Sequence, residues 1–270
     1  MRVHLLQYDI VWEDKAANHR QIAARLAELQ PGPGDVVVLP EMSDTGFSFA
    51  LDQIVDSASE IWASGVARQY GIWLSAGDAL RGPDGRGRNR ASLFGPGGER
   101  VAEYHKVFPF SFGRESEFFS GGDGLVLRRI GPPGRELIAC PLVCYDLRFP
   151  ELFRLATAAG AECFLIGANW PAPRTEHWRT MLIARAIENQ AFVVGVNRCG
   201  RDPHLPYAGG SIAIAPDGTI LAEAGSDAES LTVDLDPAAL TAWRTTFPAL
   251  ADLRPDLLGR IDIDGPVAEP

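Results

Sequence analysis

Val36-Val37-Val38-Leu39-Pro40-Glu41 is the stretch from which the fold is read. Four apolar residues in a row, three of them β-branched, show no alternation, so this strand needs cover on both faces. Pro40 ends the ladder because it has no N–H to give, and a carboxylate follows at the strand's carboxyl end. Upstream, Pro31-Gly32-Pro33-Gly34 stops a helix over 16–29 whose Ile22, Ala23, Leu26 and Leu29 share one face. Before it, Val3–Tyr8 reads as a strand. Downstream, a helix between Ser57 and Gln69 leads into a second strand buried on both faces, Ile72–Gly77. Arg81–Arg90, polar and rich in Gly and Arg, is expected to form a hairpin tip; it lacks the strand-to-helix context of a phosphate-binding loop. Ala91–Phe94 and Val101–Tyr104 are expected as arms of a hairpin around Gly95-Pro96-Gly97-Gly98.

Further strands are expected at Leu125–Arg129, Glu136–Val143, Cys163–Ala168, Phe192–Asn197, Ser211–Ala215, Thr219–Ala222 and Leu231–Asp234. Helices are expected at Pro150–Ala159, with Pro in its first turn, and at Glu176–Asn189. Asp217-Gly218 suits a two-residue hairpin turn. Helices alternate with some strands while hairpins join others, which excludes a purely parallel doubly wound sheet. Two sheets stacked face to face, each with helices outside, cover every doubly buried strand. No sequence repeat or linker divides the chain. One domain over 1–246 is expected, with the Pro- and Asp-rich residues 247–270 as an extended arm.

The chain has 270 residues, 46% hydrophobic and 22% charged, enough to bury one large core. A net charge of −10 without a basic patch argues against nucleic acid as a partner. The longest apolar runs, Phe164–Ala168 and Ala191–Val196, are far short of a membrane span. The first residues carry no apolar signal core, so a cytoplasmic location is expected. Four cysteines are too few for a disulfide scaffold.

Polar residues gather where strands end. Glu41 follows Val38-Leu39-Pro40, Lys106 follows Glu103-Tyr104-His105, Cys144 follows Ile138–Val143, Asn169 follows Leu165–Ala168, and Asn197-Arg198 follow Val193–Val196. In α/β proteins ligands collect at such ends, and an acid, an amine and a thiol are the parts for nucleophilic catalysis. Each has an ordinary alternative: a buried small thiol, a surface carboxylate, a solvated lysine. Cys140, Cys163 and Cys199 take that alternative, sitting in or beside apolar strands. Cys144 is set apart by the turn into Tyr145-Asp146-Leu147-Arg148-Phe149-Pro150, a strand–turn–helix elbow that lifts a side chain and aims backbone N–H groups at it. Val107-Phe108-Pro109-Phe110 gives Lys106 an apolar setting. Gly46-Phe47-Ser48-Phe49-Ala50 lacks the last Gly of a serine elbow, no zinc-binding pattern occurs, and a cysteine–histidine pair would need tertiary contacts invisible in the sequence.

Three blocks resemble the nitrilase superfamily of carbon–nitrogen hydrolases. Val38-Leu39-Pro40-Glu41-Met42 is similar to its first-glutamate block, Tyr104-His105-Lys106-Val107-Phe108-Pro109 to its lysine block, and Leu142 through Glu151 to its cysteine block. In Arg114-Glu115-Ser116-Glu117-Phe118-Phe119, Glu115 resembles the second glutamate, with Glu117 as a rival placement. The resemblance runs from the first strand to about Asp236. It implies a four-layer α-β-β-α sandwich of two mixed sheets and a homodimer formed through helices near the cysteine elbow, Glu176–Asn189 among them. Ala168-Asn169-Trp170-Pro171-Ala172-Pro173-Arg174, His177-Trp178 and Arg185–Gln190 are similar to the omega-amidase branch, which hydrolyses the terminal amide of 2-oxoglutaramate and related dicarboxylate monoamides.

The resemblance implies a thioester route. Glu41 is the general base, Cys144 the nucleophile, Lys106 and the backbone N–H of Tyr145 the oxyanion donors, and Glu115 a support for Lys106 or the substrate amide. No metal or organic cofactor is needed. For a substrate carboxylate, Arg174 and Arg148 are candidates, with Trp170 and Phe110 as apolar walls; a structural support of the elbow is the weightier reading of Arg148. Rival readings are nitrile or N-carbamoyl hydrolysis, acyl transfer to an amine, a metal-dependent phosphohydrolase, and a non-catalytic binder.

Overall fold

A computed structural model describes residues 1–257, 259 and 262–265. Its two large sheets have six strands each. In the first, the order is Glu229–Asp234, Arg2–Gln7, Val36–Val38, Trp73–Arg81, Gly87–Phe94, Arg100–His105. In the second, it is Ile220–Glu223, Ile212–Ile214, Phe192–Asn197, Cys163–Ala168, Leu137–Val143, Arg128–Ile130. The three strands nearest the middle of each sheet run parallel and their flanks antiparallel. Both sheets are mixed, as expected.

Alternation along Val36–Leu39 explains the layers. Val36 and Val38 enter the large core between the sheets, whereas Val37 and Leu39 join Ile22, Leu26, Ala63 and Val66 under the helices Lys15–Leu29 and Ala58–Tyr70. Arg2–Gln7 lies against Phe192–Asn197 and Gly87–Phe94 against Leu137–Val143, which brings the sheets face to face. On the far side, Phe153 and Ala156 of the helix Pro150–Ala158 and Trp178, Leu182 and Ala186 of the helix Thr175–Asn189 continue the same core. The result is helix, sheet, sheet, helix in a single domain.

The sheets also share a plan that the sequence does not display. Each half runs strand, helix, strand, helix, strand and then two antiparallel strands, the second half with the small hairpin of Cys199–Arg201 and Pro206–Ala208 inserted before them, and each sheet takes one further edge strand. The topology repeats although the residues do not.

Several boundaries are corrected. Arg81–Arg90 is not all tip: Trp73–Arg81 and Gly87–Phe94 pair through Arg81 and Gly87, so arginines there belong to long strand arms. Leu125–Arg129 is not one strand. It breaks at Leu127 into Gly124–Val126, outside the large sheets, and Arg128–Ile130 at the edge of the second. The helix Pro237–Thr246 was not expected, despite Asp236 capping it and Pro237 in its first turn. Within the residues expected as an arm, Asp262–Asp264 pairs in parallel with Gly124–Val126. No helix among the described residues is long and apolar enough to cross a membrane.

Candidate active site

Glu41 leaves the first sheet at the seam between the sheets. The N–H of Leu39 donates to Ser75 (2.9 Å) and that of Ser43 to Gly77 (2.8 Å), so the chain stays beside its neighbour while it turns. Met42 takes up the turn with φ of 43°. Two glycines make room: a Cβ on Gly77 would lie 2.7 Å from the Met42 nitrogen, and one on Gly167, in the opposite sheet, 2.8 Å from the Leu39 oxygen. The Glu41 backbone is thus clamped between glycines of both sheets.

Both carboxylate oxygens accept hydrogen bonds. Its Oε1 accepts from Asn89 Nδ2 (2.7 Å) and Lys106 Nζ (2.9 Å), and its Oε2 from the Asn169 N–H (2.9 Å). Asn169 Nδ2 also reaches the Glu41 carbonyl at 2.7 Å. Lys106 Nζ donates to Glu115 Oε2 at 2.8 Å, Asn89 Nδ2 to Glu115 Oε1 at 2.8 Å, and the Phe110 N–H to Glu115 Oε2 at 2.6 Å. Glu115 is buried with Lys106, whereas Glu117 is exposed and paired to Arg114, so the geometry joins Glu115 to the cluster and leaves its rival outside.

One ammonium between two carboxylates sets the charges. Burial alone would raise the Glu41 carboxyl; the Lys106 ammonium and the hydrogen bonds outweigh it and hold it below its ordinary range. Burial likewise opposes the Lys106 charge, but Glu115 and Glu41 hold the ammonium well above the ordinary lysine range. Cys144 goes the other way. Burial and the Glu41 charge push its thiol well above the thiol range, with Lys106 only partly offsetting them. A protonated thiol therefore faces an ionised carboxylate.

Cys144 stands on the expected elbow. Val143 pairs with Gly167 and Ala168 with Asn197, so Cys144, Asn169 and Arg198 leave the second sheet at one end. Cys144 has φ of 45°, opening a short 3₁₀ turn over Cys144–Arg148. The N–H groups in the first turn of a helix have no intrahelical acceptor, and Tyr145 sits there. No histidine is bonded to Cys144 among the described residues; His105 bonds Glu103 and His177 bonds Arg148.

Above the cluster is a cavity of about 480 Å³. Glu41, Lys106, Cys144 and Tyr145 line it, as do Phe110, Trp170, Arg148 and Arg174. Glu115 lies behind Lys106 rather than on the wall. The Arg148 guanidinium stacks 4.8 Å from the Trp170 ring and approaches His177 Nδ1 at 3.3 Å. Arg174 lies 5.5 Å from the Phe110 ring. Neither forms an ion pair among the described residues, and burial lowers the Arg148 guanidinium from its ordinary value. Among the described residues, no group of three or more His, Cys, Asp or Glu could hold a metal ion.

The chain matches the carbon-nitrogen hydrolase family over residues 2–245. It belongs to that family. It is 38% identical to the omega-amidase YafV of Escherichia coli K12, with 93% of this chain and 96% of the relative covered. It is 34% identical to the 2-oxoglutaramate amidase of Bacillus subtilis 168, covering 94% and 98%. Among solved structures, a mutant amidase from Nesterenkonia sp. AN1, showing Michael addition of acrylamide at its active site cysteine, superposes with a TM-score of 0.76 at 29% identity, covering 93% and 99%.

Three residues around the site of this carbon–nitrogen hydrolase received no site role from the sequence, although Asn197 was noted at its strand end and Asp146 in the elbow. Asn89, in mid-strand on the first sheet, bridges the two glutamates. Asn197 holds Trp170 by a reciprocal pair, the Trp170 N–H to Oδ1 at 2.7 Å and Nδ2 to the Trp170 carbonyl at 3.0 Å. Asp146 is buried beside the elbow. The elbow motif and the strand-end position gave a signal for Asp146 and Asn197; an asparagine within a strand gave none.

Proposed function

We propose that this carbon–nitrogen hydrolase releases ammonia from the terminal amide of small dicarboxylate monoamides, 2-oxoglutaramate among them, through a thioester on Cys144. The observation that carries the reading is the meeting, in one cavity, of the thiol, the Glu41–Lys106 pair and two guanidiniums that have no carboxylate partner among the described residues. The relatives named for 2-oxoglutaramate and omega-amide hydrolysis support it.

In this mechanism Glu41 takes the Cys144 proton as sulfur attacks the amide carbon, so no standing thiolate is required. The Lys106 ammonium and the Tyr145 N–H receive the oxyanion; losing one such donor typically costs about 100- to 1000-fold in rate. Collapse breaks the C–N bond, Glu41 returns the proton to the departing nitrogen, and ammonia leaves a thioester. Glu41 then deprotonates water, which attacks the thioester, and the proton goes back to sulfur with the free acid. Glu115 holds Lys106 in place. Arg148 and Arg174 receive the substrate's free carboxylate against the Trp170 and Phe110 rings.

The reading includes a cytoplasmic location, which suits four free cysteines, and a homodimer through the face of Thr175–Asn189 that leaves Ile187 half exposed. The described part of residues 247–270 is read as an arm outside the catalytic domain, joined to it where Asp262–Asp264 pairs with Gly124–Val126; 258, 260–261 and 266–270 lie outside the described residues. The test is ammonia release from 2-oxoglutaramate, succinamate, glutamine, an N-carbamoyl amino acid and a nitrile, with and without chelator. Preference for the two monoamides, indifferent to chelator, is expected. Turnover confined to the carbamoyl compound or the nitrile would transfer the assignment to those bonds, and chelator-sensitive turnover would refute the thiol route.

A further inference from the structure

We propose that Asp146 is a positioning residue: a single buried carboxylate fixes the cysteine elbow and the lysine loop to each other across the seam between the sheets. The proposal rests on the roles given above to Cys144 and Lys106. Those side chains follow strands of different sheets, so no ladder hydrogen bond sets their separation.

Asp146 spans the gap. Its Oδ2 accepts from the N–H of Val143, the residue before Cys144, at 3.1 Å, and from the Tyr104 hydroxyl at 2.8 Å. Its Oδ1 accepts from the Phe108 N–H at 3.0 Å. Tyr104 and Phe108 are the residues two before and two after Lys106, so the carboxylate grips the lysine on both sides of the chain. Asp146 and Tyr104 are both fully buried. Burying a carboxylate is costly, and capping the 3₁₀ turn alone would require only a bond within the elbow. Two of the three bonds go instead to the lysine loop. The third holds the residue before Cys144, whose left-handed backbone must be held by its surroundings.

The test compares Asp146→Asn, Tyr104→Phe, their combination and Cys144→Ala with wild type, reading kcat and KM on succinamate, thermal unfolding, and alkylation of Cys144 by iodoacetamide. A misplacement of about 1 Å costs about 100-fold. We expect a kcat loss of that order in folded Asp146→Asn, with KM little changed and the thiol still alkylated. Tyr104→Phe, which keeps the carboxylate and removes one donor, should lose less. The double variant should be no slower than Asp146→Asn, because Tyr104 acts through Asp146. Wild-type kcat in folded Asp146→Asn, additive losses in the double variant, or a change confined to KM would overturn the proposal. Should Asp146→Asn fail to fold, wild-type kcat in Tyr104→Phe overturns it by itself. Wild-type turnover by Cys144→Ala would remove the roles of Cys144 and Lys106, on which the proposal depends.

Discussion

The protonation of Cys144 separates this site from one that stores a thiolate. Burial and the facing Glu41 raise the thiol, while Glu41 stays ionised because Lys106 holds its proton affinity down. A free thiol titrates near about 8.5. Iodoacetamide alkylation of the resting enzyme should therefore keep rising with pH through that value, read as the loss of free Cys144 by mass spectrometry; a plateau below pH ~7 would indicate a preformed thiolate. Glycine tells as much as the charged groups. Gly167→Ala puts a methyl against the Pro40–Glu41 backbone, with an expected cost of about 1–3 kcal/mol in urea unfolding. Since the same shift moves Glu41, kcat should fall by about 100-fold. At this scale the sequence was legible where a strand end carried an acid, an amine or a thiol. It was silent at Asn89, whose role depends on two glutamates 48 and 26 residues away in the chain.

Elements set which side chains reach the cavity. The elbow aims Cys144 upward, and the next residues of the same turn supply Tyr145 and Arg148; the short turn over Ala172–Arg174 supplies the second guanidinium. If the two arginines receive a carboxylate, truncating either to alanine removes a charge-assisted hydrogen bond worth about 1.5–3 kcal/mol. That loss should lower kcat/KM by about 10- to 100-fold for succinamate and leave a neutral amide such as butyramide almost unchanged. Equal losses on both substrates would return Arg148 to the supporting role the sequence favoured. Periodicity located most elements because buried strands and one-faced helices leave local patterns. It failed at Leu125–Arg129, where a single apolar-to-basic run is divided between two pairings by the chain's path.

The whole molecule brings together what neither sheet holds alone. Glu41 and Lys106 come from the first sheet and Cys144 and Asn169 from the second, so the site exists only where the stacked carboxyl ends meet. The doubly buried strands together with the hairpins pointed to the stacking, because two sheets with outer helices cover every such strand. They could not reveal the repeated topology, which is written in connections rather than in residue types. In the homodimer proposed above, Ile187, half exposed on the outer helix Thr175–Asn189, would face the second copy. Ile187→Asp should shift light scattering from dimer to monomer, whereas an unchanged mass would move the interface elsewhere.

Covalent catalysis by Cys144 is checked by comparing ammonia release from succinamate by wild type and Cys144→Ala, with intact-mass spectra of rapidly quenched enzyme. Turnover and a succinyl adduct on Cys144 are expected in wild type, and neither in the variant. Wild-type turnover by Cys144→Ala would contradict covalent catalysis.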